Sequence, residues 1–171
     1  PKFVNRFQLN FRNHRKIVVV DGDVAFTGGL NVGNEYLGRN ARLGHWRDTF
    51  VRMRGPVVAE VQLSFAEDWL WAAEETLALN WEPAPCDGKM DALVVAPGPA
   101  DPIETGSLYL CNAIGTARER LWIASPYFVP DVDVITGLKL AVLRGVDVRI
   151  LIPEEADHLL TWLAAYSFFD E

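Results

Sequence analysis

The chain has 171 residues, half of them hydrophobic, and carries a formal net charge of −7 at pH 7. So many apolar residues exclude an intrinsically disordered chain and suffice for one ordinary core or two small ones. No apolar run approaches the roughly 20 residues that a membrane-spanning helix needs. The acidic balance also disfavours a general nucleic-acid binder, because such proteins carry a basic footprint.

The charge is distributed unevenly along the chain. Residues 1–54 contain ten Lys and Arg against four Asp and Glu, whereas residues 55–171 contain six against nineteen. We expect an anionic substrate to be drawn to the basic end. A solvated basic face without a ligand is the alternative, and charge alone favours that alternative.

Three strands and a helix are predicted in the first part of the chain. The segment KIVVVD, residues 16–21, is rich in β-branched residues, and a turn at Gly22 leads to a second strand over residues 24–27. The segment WRDTFVRMR, residues 46–54, predicts a third strand. After Pro56, helical spacing predicts a helix with an apolar stripe that contains Val57, Val61, Phe65, Trp69 and Ala72. We expect Trp69 on this stripe to lie in the core rather than in a membrane-interface belt.

Five prolines between residues 80 and 106 indicate a connector, which a short strand over residues 92–96 interrupts. We place a domain boundary near residue 85, which gives domains 1–84 and 85–171. Beyond the connector, helices and strands alternate, and this predicts an α/β fold with a parallel or mixed sheet. The predicted order is a helix near 107–118, a strand at 121–125, a helix near 132–143, a strand at 146–152 and a helix from about 156.

The most informative stretch is NHRKIVVVDGDVAFTGGLN, residues 13–31. Its pattern is His14-x-Lys16, four residues, Asp21, six residues, then Gly28-Gly29-x-Asn31. A chain of average composition meets this pattern by chance on the order of once in 10⁵. The spacing therefore indicates a functional site rather than scattered polar residues.

The chemistry of this pattern suits attack on phosphorus. His14 and Lys16 are two residues apart at the start of a strand, so they point to the same face of the sheet. An imidazole is nucleophilic at neutral pH, and an ammonium beside it binds phosphate oxygens. Gly29 allows the backbone to approach closely, and Asn31 can donate an amide N–H. Such donors stabilise the charge that a transferring phosphoryl group develops.

The sequence allows two interpretations for Asp21, and likewise for the pair Tyr127 and Phe128. Asp21 lies between two strands, where a carboxylate serves either as a turn residue or directly in the chemistry. Tyr127 and Phe128 follow a strand end, where α/β sheets commonly bind ligands, but a plain loop role is equally compatible.

The motif resembles the first signature motif of the phospholipase D superfamily. Segments that resemble bacterial cardiolipin synthases of that superfamily are GGLNVGNEYLG at 28–38, WRDTFVRMRGPVV at 46–58, ASPYFVPD at 124–131 and RGVDVRILIP at 144–153. The resemblance implies a phospholipase D-like fold, a mixed or parallel sheet flanked by helices, present here as two incomplete halves. Residues 1–84 would end the first half, and residues 85–171 would begin the second.

The resemblance also implies roles for the motif residues. His14 would be the nucleophile that takes the phosphatidyl group, and Lys16, Asn31 and Gly29 would hold the phosphate. Asp48, in WRDT, matches the carboxylate that orients the histidine; pairing with a neighbouring arginine is the alternative. Neither a metal nor a cofactor is implied.

The implied reaction is phosphatidyl transfer between two phosphatidylglycerol molecules, which gives cardiolipin and glycerol through a phosphohistidine at His14. The substrate would be an anionic phospholipid, at the bacterial cell membrane, with membrane contact through parts outside this chain and no nucleic acid as partner. Alternatives are a hydrolytic phospholipase D, another phosphatidyltransferase, and a nuclease of the superfamily.

A further alternative is that the piece by itself is an inactive structural fragment. His45 and His158 are not followed by lysine two positions later, so neither opens a second motif. The chain begins without methionine at Pro1 and stops at Glu171 within an apolar helical pattern. We therefore expect an internal piece of a longer protein that carries the first motif only.

Overall fold

The computed structural model describes residues 13–39, 44–98, 101–154 and 159–170. The chain forms two compact units, Pro1–Ala96 and Pro97–Glu171. Each unit combines a sheet with helices and has its own buried cluster. The predicted α/β class, with a mixture of antiparallel and parallel pairing, is confirmed.

The first unit is an antiparallel sheet with one long helix. Its elements are strands β1 (Ile17–Val20), β2 (Val24–Gly28) and β3 (Phe50–Arg54), in that order across the sheet, a 3-10 turn (Glu35–Leu37) and helix α1 (Val57–Ala73). The third strand begins at Phe50 rather than at Trp46, because Trp46 and Asp48 bond through their side chains instead of the ladder.

The β1–β2 turn has the sequence that its geometry requires. Asp21 and Gly22 have φ values of 55° and 76°, and positive φ at both central residues is typical of a type I′ hairpin turn. The N–H of Asp23 donates to the carbonyl of Val20 at 3.0 Å and closes the turn. A Cβ at Gly22 would lie 2.6 Å from the carbonyl oxygen of Asn80, so glycine is required here for space as well.

The core of the first unit lies between the sheet and α1. Ala25 and Val58 are fully buried, and Val61 is nearly so. Val19 and Met53 are the ladder partners of Ala25, so these three side chains share the face that packs against the helix. The opposite face carries the even-numbered residues of β1, among which Val18 and Val20 are exposed.

The apolar stripe of α1 is only partly buried, and Trp69 does not lie in the core as expected. Val61 is buried, but Trp69 is 39% exposed and Phe65 is 38% exposed, whereas the polar residues Gln62 and Ser64 are buried. A five-residue strand spans about 17 Å, whereas a 17-residue helix spans about 26 Å, so the short sheet covers only the first part of the helix.

The second unit alternates helices with parallel strands, as predicted. Its elements are α2 (Thr105–Thr116), β4 (Arg120–Ala124), α3 (Val132–Leu143), β5 (Asp147–Leu151) and α4 (Leu159–Tyr166). Strands β4 and β5 pair in parallel, with Leu121 opposite Val148. Helices α2 and α3 contribute Ile114, Leu138 and Ala141 to the core that covers one face of these strands.

The connector belongs to the first unit. The predicted strand at 92–96 is wrong, because this segment is irregular and the N–H of Val94 donates to Oε2 of Glu60 on α1. The N–H of Ala84 similarly donates to Oδ1 of Asp23. Such side-chain contacts hold residues 80–96 against the first unit, so the division falls between Ala96 and Pro97 rather than near residue 85.

A polar cluster on β4 and β5 predicts acid sensitivity of the second unit. Hydrogen bonds from Arg149 and then Trp122 hold the pKa of Asp147 below its ordinary value. The stabilisation from Asp147 is therefore fully present above about pH 4 and is lost as the pH falls through its lowered pKa in the folded protein. The effect is small because the cluster is exposed to solvent.

We expect Asp147→Asn to lower the melting temperature slightly near neutral pH and to have a smaller effect as the pH falls through the lowered pKa of Asp147. Thermal unfolding of both proteins at several pH values tests this. A difference between the two melting temperatures that grows as the pH falls would contradict the assignment.

Candidate active site

His14 and Lys16 lie immediately before β1, at the edge of the first unit's sheet. His14 is exposed, and Lys16 is half-buried. Nζ of Lys16 donates to the backbone carbonyl of His14 at 2.6 Å, so the ammonium stays beside the histidine. Because Ile17 pairs with Thr27, the residues before Ile17 lie next to the end of β2, where the Gly-Gly turn begins.

Asp48 binds the backbone of that glycine turn. Its Oδ1 accepts hydrogen bonds from the N–H of Gly29 at 3.1 Å and from the N–H of Thr49 at 2.7 Å. A Cβ at Gly29 would lie 2.5 Å from Oδ2 of the same carboxylate, so only glycine leaves room for it. Arg47 binds the backbone carbonyl of Asp48 and Oγ1 of Thr49. The carboxylate thus orders the turn that follows β2.

Asn31 is joined to Asp48 through two aromatic residues. Nδ2 of Asn31 donates to Oη of Tyr36 at 2.6 Å. The ring of Tyr36 meets the ring of Trp46 edge to face, with centroids 4.9 Å apart. Nε1 of Trp46 donates to Oδ2 of Asp48 at 3.5 Å. The aromatic side chains of Tyr36 and Trp46 therefore hold the loop between β2 and β3, and their polar atoms bind Asn31 and Asp48.

Tyr36 and Trp46 were not among the residues that sequence reasoning selected. Both lie between Asn31 and Asp48 in the chain, and each combines a large apolar ring with one hydrogen-bonding group. Two aromatic residues with hydrogen-bonding groups in an otherwise polar loop are the sequence signal that could have identified them.

The structure separates Asp21 from the other motif residues. Asp21 lies in the turn at the far end of β1, five residues and about 16 Å of extended chain from Lys16. Its carbonyl accepts a hydrogen bond from Nδ2 of Asn80 at 3.1 Å. This position favours the turn role over a direct role in the chemistry. Orientation of His14 by Asp48 stays a prediction, since the bonds of the carboxylate described above go to Gly29, Thr49 and Trp46.

The second unit contains an apolar cavity of about 480 Å³ between α3, β5 and the end of the chain, and Phe128 lines it. This favours the pocket-lining interpretation for Phe128, while Tyr127 bonds Ser125 through its backbone. Of the two other histidines, His45 is exposed and His158 lies outside the described residues.

The described residues provide neither a membrane span nor a metal site. None of the helices in these ranges combines the length and the apolar character needed to cross a bilayer. Among the same residues, no three His, Cys, Asp or Glu side chains are grouped closely enough to hold a metal ion.

Comparison with known proteins finds one family match in the second unit and relatives that match nearly the whole chain. Residues 110–169 match the family described as cardiolipin synthase, PLD-like domain. The chain is 58% identical over 164 residues to cardiolipin synthase A of Pseudomonas fluorescens SBW25, which covers 95% of this chain. The resemblance to cardiolipin synthases of the phospholipase D type is confirmed. Cardiolipin synthase A of Pseudomonas putida GB-1 is 56% identical over 164 residues, or 96% of this chain.

These relatives are much longer than the chain. The matched region is 34% of the length of each of the two Pseudomonas proteins, so the chain spans about a third of them. The match to these relatives covers at least 95% of this chain and so extends over both units, whereas the family match lies in the second unit alone.

Proposed function

We propose that this chain is the part of a cardiolipin synthase-type phosphatidyltransferase that carries one catalytic histidine, His14. The position of His14 and Lys16 beside the glycine turn, at one end of a single sheet, carries this proposal. Lys16 lies against His14, and Gly29 is bound by Asp48 at the adjoining strand end. The similarity to two cardiolipin synthases over at least 95% of the chain supports the same reaction class.

The reaction would proceed in two displacements. A ring nitrogen of His14 attacks the phosphorus of phosphatidylglycerol, a P–N bond forms, and the P–O bond to the glycerol headgroup breaks. The departing glycerol takes a proton from an acid that another part of the enzyme supplies. A hydroxyl of a second phosphatidylglycerol then attacks the phosphorus, gives up its proton to that same group, and the P–N bond breaks. Covalent catalysis of this kind divides one difficult step into two easier ones.

The groups around His14 would stabilise the transferring phosphate. Nζ of Lys16 is a positive charge one side chain away, and it can exchange its bond to the His14 carbonyl for one to a phosphoryl oxygen. The amide of Asn31 is a second donor, and the Gly29 turn allows the backbone to approach. Asp48 would orient the imidazole directly or keep the glycine turn in its shape.

The substrate and the setting follow from the same proposal. The donor and acceptor would be anionic phosphatidylglycerol at the bacterial cell membrane, with membrane contact supplied by parts outside this chain. The reaction would need neither a metal nor a cofactor, because the imidazole is itself the nucleophile. Nucleic acid is not expected as a partner, given the net charge of −7.

The identity of the product tests the reaction. We expect the complete enzyme, incubated with phosphatidylglycerol vesicles, to form cardiolipin and free glycerol in equal amounts. Formation of phosphatidic acid instead would identify a hydrolytic phospholipase D and overturn the proposed transfer.

The same assay on residues 1–171 alone tests whether this piece is active by itself. We expect no turnover, because neither His45 nor His158 belongs to a second motif that could supply the acid. Turnover by this piece, with sizing to establish whether two copies associate, would show that one motif is sufficient.

A further inference from the structure

A carboxylate on helix α1 binds both neighbours of His14. Asp68 accepts hydrogen bonds from Nη1 of Arg15 on both of its oxygens, each at 3.1 Å, and from the side-chain amide of Asn13. The side chains of Arg15 and Asp68 are 31% and 34% exposed, so the ion pair is partly shielded from water. Because three hydrogen bonds converge on one carboxylate, the contact restricts the segment more than a single exposed ion pair would.

Other bonds hold the same segment. Oδ1 of Asn13 accepts from the N–H of Arg15 at 2.9 Å, so the Asn13 side chain closes a small turn around His14. Nη2 of Arg15 donates to the carbonyl of Ala96 at 2.9 Å. Nζ of Lys16 bonds the carbonyl of His14 itself. The backbone on either side of the histidine is therefore fixed, although it precedes the regular part of β1.

The direction of these contacts affects where the side chain of His14 lies. Arg15 reaches towards α1, as do the odd-numbered residues Ile17 and Val19 of β1, so alternation along the strand places Lys16 on the other side. His14 lies between Asn13 and Arg15, which are both bound by Asp68. We infer that Asp68 is a positioning residue for His14: it aims the imidazole by holding the residues before and after it. This inference rests on the proposed function of His14 as the nucleophile.

The effect should appear in the chemical step. Misplacement of a reacting group by about 1 Å costs about 10²-fold in rate. In the complete enzyme we expect Asp68→Ala to lower kcat for phosphatidyl transfer by about 10- to 100-fold. The KM for phosphatidylglycerol should stay within about twofold, because the bonds of Asp68 go to Asn13 and Arg15 rather than to the groups proposed to hold the phosphate.

Glu60 on the same helix provides a matched control. Its carboxylate also accepts a hydrogen bond from a distant part of the chain, but the donor is the N–H of Val94 in the connector rather than a residue beside His14. We expect Glu60→Ala to keep kcat while it affects thermal stability to a similar degree. Equal losses of kcat in the Glu60 and Asp68 variants would show that Asp68 acts through stability alone and would overturn the inference.

Double variants separate positioning from a general structural effect. Arg15→Ala and Asp68→Ala remove the same contact, so the combined variant should be no slower than the slower single variant. Additive losses would contradict a shared role. If Asp68→Ala fails to fold, Asp68→Asn and Asn13→Ala, which weaken the contact without removing it, serve for the same comparison of kcat and KM.

The result also distinguishes the two proposals. If His14→Ala is inactive while Asp68→Ala retains full kcat, the positioning role is wrong and the proposed function stands. If His14→Ala retains activity, the proposed function itself is wrong.

Discussion

Replacing His14 with alanine in the complete enzyme is expected to lower the rate of cardiolipin formation by about 10³-fold or more. Alanine has no atom that can accept the phosphatidyl group, so the two-step route is closed. The initial rate of cardiolipin formation from phosphatidylglycerol measures the loss. Mass spectrometry after a neutral denaturing quench should detect a phosphatidyl adduct on the peptide that contains residue 14 in the wild type but not in the variant.

His45 is the matched control for this substitution. It is an exposed histidine of the same unit, and it opens no motif. We expect His45→Ala to retain the wild-type rate within about twofold. Substantial turnover by His14→Ala, or an adduct on a different residue, would remove His14 from the role of nucleophile.

The second large effect is expected where Asp48 meets Gly29. Asp48→Ala removes the oxygen that accepts two backbone N–H groups, so the rate of transfer should fall about 10²-fold. Gly29→Ala should cause a similar loss, because a Cβ there would lie 2.5 Å from Oδ2 of Asp48 and displace the carboxylate. Steady-state rates of the two single variants and of the double variant measure whether both act on one contact.

Two substitutions in the second unit control for these changes. Asp101 also accepts a hydrogen bond from a glycine N–H, that of Gly98, at 3.2 Å, so Asp101→Ala removes a comparable bond elsewhere. A Cβ at Gly115, near the end of α2, would meet no described atom outside its own helix within 4 Å, so Gly115→Ala should be tolerated or slightly stabilising. If the Asp48 and Gly29 variants were as active as these controls, the turn would have no part in the reaction.

Local sequence signals were sufficient for most of the secondary structure. The β1–β2 turn was predictable from Asp21 and Gly22 because a type I′ turn needs two residues that tolerate positive φ. Helix α3 was predicted over residues 132–143, its observed span, from apolar spacing between two strands. Such signals depend on residues that are neighbours in the chain, so they predict local structure without knowledge of the fold.

The side of α1 that is buried could not be predicted in the same way. Its apolar residues are spread around the helix, and Trp69 looked as suitable for the core as Val61. The length of the sheet decides between them, because three short strands cover only the first part of the helix. The connector was misassigned for a similar reason: Glu60 and Asp23 bind it from a distance in sequence.

The amino-acid sequence by itself determined the motif of His14, Lys16, Gly29 and Asn31, together with the class of chemistry that these residue types suit. Only the tertiary structure decided what surrounds the motif: Asp48 on the glycine turn, Tyr36 and Trp46 beside Asn31, and Asp68 against the neighbours of His14. Asp68 and Arg15 are 53 residues apart in the chain. A contact between residues so far apart in the chain depends on how a helix packs on a sheet. It cannot be predicted from the spacing of residues along the sequence.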